Sequence, residues 1–223
     1  MSPASTIDPH AEARVLHHGA PLERAQAAVI LLHGRGASAA GILRLAPDLM
    51  ADADVGDRVA FLAPQAVGNT WYPQRFIAPL DQNEPWLSSA LGVIDRLIDE
   101  AAAHGLPPQA LMVAGFSQGA CLALEHAARG SRPVGTVAGL SGALIGPPDK
   151  PRRPLVDVAG LRVFLGTGTV DDHVAPEQVE RAAQLFREAG ATVDLRIYEG
   201  MPHTINEDEI AALRELVRTL PGA

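Results

Sequence analysis

The sequence predicts an α/β domain: one mostly parallel central sheet with helices on both faces. Three observations predict it. Short runs of apolar, strand-forming residues recur along the chain of 223 residues. Longer runs with apolar residues at helical spacing separate them. The strand runs are apolar at nearly every position, the pattern of strands buried on both faces of a parallel sheet.

The elements follow in order. "EARVLHHG" (12–19) reads as an extra, antiparallel edge strand. "AAVILLH" (27–33) is a buried strand. Residues 38–53 read as one helix with Ile42, Leu45, Leu49 and Met50 on a face. "RVAFLAP" (58–64) is the next strand. "PWLSSALGVIDRLIDEAAAHG" (85–105) has Leu87, Leu91, Ile94 and Ile98 at helical spacing and a Gly stop. "ALMVAG" (110–115) is a strand and 117–129 a helix. "VGTVAGLSG" (134–142) and "LRVFLGT" (161–167) are strands, 176–189 a helix, "TVDLRIYEG" (192–200) a strand and 206–220 the last helix. "PPDKPRRP" (147–154) is a surface loop. The length suits a single domain over 1–223, with about residues 1–11 as a flexible N-terminal segment.

Composition narrows the function classes. Lys and Arg total 18 against 26 Asp and Glu, a net charge of −8. An acidic surface without a basic cluster disfavours nucleic acid and anionic membranes. No apolar run is long enough to span a bilayer, so stable membrane insertion is not expected. Cys121 is the only cysteine, so no intramolecular disulfide and no oxidising compartment are required. The N-terminus lacks a basic and then apolar signal pattern. A cytoplasmic protein is expected.

The chemistry concentrates at "LMVAGFSQGACLALEH" (111–126). Ser117 stands in G-x-S-x-G, between a strand and a helix, as a nucleophile elbow does. With eight Ser and 21 Gly in the chain, chance gives about 0.07 matches. The flanking glycines remove side chains that would obstruct a sharp turn, and the helix N-terminus favours developing negative charge. A serine hydroxyl needs a base, and this fold places an acid and then a His downstream. "LGTGTVDDHVAP" (165–176) supplies Asp171 or Asp172 after a strand, and "YEGMPHTINEDE" (198–209) supplies His203 in a loop. An oxyanion hole needs two backbone N–H donors. Gln118 follows the nucleophile, and Arg35 lies in the Gly-rich turn "LLHGRGAS" (31–38). His33 reads as structural, bonded beneath that turn, and Cys121 as buried and inert. No metal-ligand spacing of His and Cys appears, so no metal is expected.

The connection "PQAVGNTWYPQRFIAPLDQNEP" (64–85) is long for a compact domain, and such loops are commonly functional. It carries Trp71, Tyr72, Phe76 and Ile77, with Trp86 at its end. These five are the expected substrate-binding wall.

"LLHGRG", "GFSQG", the D-x-H-V at 171–174 and "GMPH" (200–203) together resemble the carboxylesterase/phospholipase family of α/β-hydrolases, which includes the acyl-protein thioesterases. The resemblance runs from about residue 27 to 220. It implies a compact α/β-hydrolase without a large cap domain, no cofactor, and hydrolysis of a small-molecule carboxylic ester or acyl-chain substrate through an acyl-enzyme. Thioesterase or lysophospholipase activity is the alternative, and a noncatalytic ligand-binding version of the fold the non-enzyme one. The resemblance assigns Ser117 as nucleophile, Asp171 as the acid orienting the imidazole and His203 as general base. Arg35 departs from it, standing where acyl-protein thioesterases usually carry an apolar residue. Members are often dimers, so a homodimer is open.

Overall fold

The computed structural model describes residues 8–50, 56–150, 155–156 and 158–223. Seven strands form one sheet: β1 (Val15–Gly19), β2 (Ala27–Leu32), β3 (Val59–Pro64), β4 (Leu111–Phe116), β5 (Thr136–Leu140), β6 (Arg162–Gly168) and β7 (Thr192–Tyr198). Their spatial order is β1-β3-β2-β4-β5-β6-β7. Only β1 is antiparallel, pairing Val15 with Pro64 and Gly19 with Ala60. Every residue of β2 and β3 is buried, because both faces are covered.

One face carries α3 (Trp86–Ala103), α4 (Gln118–Arg129) and α5 (Pro176–Glu188), whose Ile94, Leu122 and Phe186 meet Ile30, Val113 and Val163 of the sheet. On the other face lie α1 (Ala39–Leu43), α2 (Ala46–Leu49) and α6 (Glu207–Arg218), with Leu49, Leu213 and Val217 against Phe61, Met112 and Phe164. Alternate residues of a strand point to opposite faces, so each strand feeds both cores.

Two expectations need correction. The single helix expected over 38–53 is two short helices, α1 and α2, parted at Arg44–Leu45. Pro47 explains the break, since it has no N–H for a bond to Leu43 and its ring would crowd that carbonyl. Residues 51–53 lie outside the described residues. The N-terminal segment is not free where it is described. Its residues 1–7 and the 151–154 part of the loop at 147–154 also lie outside. His10 is fully buried. Its N–H donates to Ser89 Oγ at 2.7 Å, and Arg96 donates to its carbonyl at 2.9 Å, tying this stretch to α3. The other boundaries agree with expectation to within three residues.

The chain reverses direction across the sheet between β2 and β4: β3 lies on one side of β2, and β4 onward on the other. Ligands in open α/β sheets bind outside the strand C-termini at such a switch point. The turn bearing Arg35 follows β2, and Ser117 follows β4.

Candidate active site

β4 ends at Phe116 and α4 begins at Gln118, so one residue makes the whole turn. Ser117 takes φ 55°, ψ −118°, a conformation costly for a residue with a Cβ, on the order of 1–3 kcal/mol. Surrounding contacts hold it. Its N–H donates to Leu140 O at 2.9 Å, and its carbonyl accepts from Cys121 N at 3.0 Å. The glycines answer to close approach. A Cβ on Gly115 would stand 2.4 Å from the Gly119 carbonyl, and one on Gly119 would stand 2.2 Å from Leu32 O. The elbow is thus clamped onto the end of β2. The adjoining turn is close too: a Cβ on Gly34 would lie 3.3 Å from Ser117 Cβ.

Asp171 follows β6 and His203 follows β7, loops brought together at Gly168. A Cβ there would come within 1.8 Å of Met201 O, so only glycine lets the His-bearing loop this near. His203 Nε2 lies 2.9 Å from Ser117 Oγ, and its Nδ1 lies 2.7 Å from Asp171 Oδ2. A carboxylate only accepts, so it assigns the ring proton to Nδ1 and leaves Nε2 free to take a proton from the hydroxyl. The other oxygen, Oδ1, accepts from His173 N at 2.9 Å and Val174 N at 3.0 Å. Burial pushes the Asp171 carboxyl up. Hydrogen bonds from His203 and from those two N–H groups outweigh it and hold the carboxyl below its ordinary value. Asp171 therefore stays ionised beneath the imidazole. Asp172 points away, its side chain 84% exposed. The His203 ring lies between Phe116, with centroids 4.8 Å apart, and His173, 4.5 Å apart.

The aromatic loop is ordered by contacts that cross the molecule. Arg35, exposed and beside the elbow, donates to Tyr72 O and Pro73 O at 2.9 Å each and to Gln74 O at 2.6 Å. The Gln118 side chain accepts from Trp71 N at 2.9 Å and donates to Tyr72 O at 2.8 Å. Trp71 Nε1 donates to His33 O at 2.8 Å, and the His10 ring bonds Trp71 O at 3.0 Å. These side-chain roles of Arg35, Gln118 and His10 leave no local trace in the sequence. His33 is buried, with Nε2 accepting from Ala66 N at 3.1 Å, a structural role beneath the turn.

The five residues expected in a substrate wall part company. Trp71 and Tyr72 are buried at 0% and 1% exposure, so they anchor the loop instead of facing an opening. Trp86 starts α3 and sets its ring edge-on to His10. Phe76 and Ile77 do line a cavity, about 610 Å³, between α4 and α5. Leu80, Leu144, Leu155 and Leu185 complete much of its apolar wall. Cys121, also buried, has its thiol pushed up to about 12 by burial, too high to supply a thiolate nucleophile. Among the described residues no group of three or more His, Cys, Asp or Glu side chains could hold a metal ion, and no helix is long and apolar enough to cross a membrane.

Comparison with known proteins gives the family and the fold. The family model described as Phospholipase/Carboxylesterase matches residues 14–220. Acyl-protein thioesterase 1 of Yarrowia lipolytica is 26% identical over 209 residues, covering 83% of this chain and 88% of the relative. The carboxylesterase SOBER1 of Arabidopsis thaliana is 26% identical over 172 residues, 71% of each chain. Among solved structures, a phospholipase/carboxylesterase from Dyadobacter fermentans is 37% identical with a TM-score of 0.84, covering 93% of this chain and 97% of the other. The chain is a hydrolase and belongs to the phospholipase/carboxylesterase family, with an α/β-hydrolase fold.

Proposed function

We propose that the protein is a serine carboxylesterase acting through an acyl-enzyme. The observation that carries this reading is the continuous hydrogen-bonded line from Ser117 Oγ through His203 to Asp171. Ser117 attacks the ester carbonyl as His203 Nε2 takes its proton. Asp171 holds the imidazole in the right tautomer and stabilises the imidazolium. The tetrahedral oxyanion lies against the backbone N–H groups of Arg35 and Gln118. Gln118 is the first residue of α4, where N–H groups have no partner within the helix, and the Arg35 turn abuts Ser117. Each such donor is worth on the order of 10²–10³ in turnover. His203 then returns its proton to the leaving alcohol. Water, deprotonated by the same imidazole, releases the acid.

The substrate is a small-molecule ester, its apolar chain directed towards Phe76 and Ile77. Thioesters are the second acyl donor to consider, because the relatives include named acyl-protein thioesterases. The single buried cysteine and the net charge of −8 suit a cytoplasmic enzyme without nucleic-acid partners.

The test is turnover of p-nitrophenyl esters and acyl-CoA thioesters from short to long chains, alongside labelling by a fluorophosphonate. Ser117→Ala is expected to lose on the order of 10⁶ in turnover and all labelling, with an unchanged fold by circular dichroism. Activity within tenfold of wild type removes Ser117 as nucleophile.

A further inference from the structure

The loop that carries His203 is held at its two ends and not in its middle. Residues 202–205 make no backbone hydrogen bond among the described residues. The leading end is tied to the loop after β6. Gly200 N donates to Thr169 Oγ1 at 2.8 Å, and Met201 O accepts from Val170 N at 3.3 Å. The trailing end is tied to Glu209, in the first turn of α6. Glu209 Oε2 accepts from Asn206 N at 3.0 Å, and Asn206 Oδ1 accepts in turn from Glu209 N at 2.8 Å. Asn206 Nδ2 then reaches Met201 Sδ at 3.0 Å and joins the two ends. The imidazole therefore stands where these anchors put it.

Glu209 does more than an ordinary cap needs. Glutamate is almost never fully buried without a charged partner, yet Glu209 is 0% exposed. Its second oxygen, Oε1, is buried as well and has no hydrogen-bond partner. The sheet leaves a slot for that oxygen at Gly166 of β6, where a Cβ would stand 2.1 Å from it. An ionised oxygen in such a slot is costly. Burial therefore pushes the Glu209 carboxyl up to about 7, against the pull of the Asn206 N–H.

The neighbouring charges do not reverse this. Asp208, exposed and adjacent on α6, pushes the carboxyl further up. From β7, Arg196 and the Tyr198 hydroxyl are engaged with Asp208 at 2.8 and 2.7 Å. From β6 the facing residue is Gly166, which carries no charge.

We propose that Glu209 is a positioning residue for the general base: as a neutral acid seated against Gly166 it fixes the His203 loop, and its ionisation slackens that loop. This rests on His203 being the base of Ser117. With the carboxyl raised above its ordinary value, the anchor is whole at acid pH and is lost as pH rises through about 7. His203 runs the other way, since it accepts a proton only once it is neutral. Turnover is then bounded on the acid side by His203 and on the alkaline side by Glu209.

The test is steady-state turnover of a p-nitrophenyl ester from about pH 5.5 to about pH 9 by wild type, Glu209→Gln and Glu209→Ala. Glutamine keeps the capping bond and the shape but cannot ionise. Glu209→Ala removes the anchor. It is expected to lower kcat about 10²-fold with KM changed less than about threefold, the mark of a misplaced catalytic group. Glu209→Gln is expected to stay within about twofold of wild type on the acid side. On the alkaline side wild-type kcat is expected to fall towards the alanine level with a midpoint near 7, while the glutamine variant stays level. The acid limb belongs to His203 in both proteins, so their difference isolates Glu209. A wild type without that alkaline fall, or a glutamine variant that shares it, overturns the proposal, and this comparison stands even if Glu209→Ala does not fold. A folded Glu209→Ala with wild-type kcat overturns it too. Turnover surviving in Ser117→Ala would instead remove the triad reading beneath it.

Discussion

The nucleophile turn and the aromatic loop lie side by side, yet they are held in place by different physics. The turn at 115–119 is a matter of backbone sterics within a few residues. Gly115, Ser117 and Gly119 are close in sequence, and the collisions that forbid a Cβ involve the turn itself and the end of β2. The loop at 65–85 is a matter of long-range hydrogen bonds. Its carbonyls at Tyr72, Pro73 and Gln74 go to Arg35, its Trp71 backbone goes to Gln118 and His10, and its indole goes to His33. The difference teaches where a short motif is informative. A motif encodes a conformation when its own atoms enforce it, and encodes little when distant partners do.

The largest effect separates two adjacent acids near the first region. Asp171 is buried and bonded to His203, while Asp172 is exposed. Asp171→Asn is expected to cost on the order of 10⁴ in turnover, because an amide disfavours the required tautomer and no longer stabilises the imidazolium. Asp172→Asn is expected to stay within about tenfold of wild type. Measuring both at one pH decides the assignment, and the reverse order would transfer the role to Asp172.

Breaking the loop at its anchor comes next. Trp71→Ala is expected to lose about 3–5 kcal/mol of stability by chemical denaturation, since it empties a fully buried site. Were the indole instead a wall touched by substrate alone, stability would hold and only the preference among acyl chains would change.

The turn can be broken without touching a reacting group. Gly119→Ala drives a Cβ against Leu32 O. About 1–3 kcal/mol of destabilisation is expected from the overpacking. A displaced Ser117 is expected to cost about 10² in kcat with little change in KM. Unchanged kinetics would mean that β2 moves aside and that the clamp is dispensable.

Arg35→Ala gives the smallest effect and the sharpest distinction between backbone and side chain at one residue. The oxyanion donor proposed here is the Arg35 N–H, which alanine keeps; the loop clamp is its guanidinium, which alanine loses. Turnover is expected to fall less than about tenfold, while amide exchange quickens in the segment around Tyr72–Gln74. A fall of 10³ or more with unchanged exchange would place the charge itself in the chemistry.

Much of the fold is legible in the residues alone. The apolar runs of β2, β3 and β4 are short and continuous, and the helix that begins beside Trp86 keeps its apolar spacing over five turns. Both signals are local, and burial on both faces explains them. The break between α1 and α2 was hidden by apolar spacing that continued through Pro47. The packing of His10 between Trp71 and Trp86 was hidden altogether, because a lone histidine near a chain end carries no pattern. The candidate site divides in the same way. Ser117 in its glycine setting, an acid after β6 and a histidine before α6 are legible from residue types and order. Residue order does not separate Asp171 from Asp172; side-chain direction does, since Asp171 meets His203 while Asp172 is exposed.

By itself the sequence determined the layered α/β architecture, a serine on a strand-to-helix turn and the chain order of serine, acid and histidine. Each depends on forces that act between near neighbours: apolar periodicity, the steric freedom of glycine, the φ limits of proline. Only the tertiary structure decided that Trp71 and Tyr72 are anchors while Phe76 and Ile77 face the cavity, that Arg35 is a clamp, and that Glu209 is buried against Gly166. Those outcomes depend on which side chains meet across tens to hundreds of residues of chain, and a free energy of contact exists only once the fold has brought the partners together.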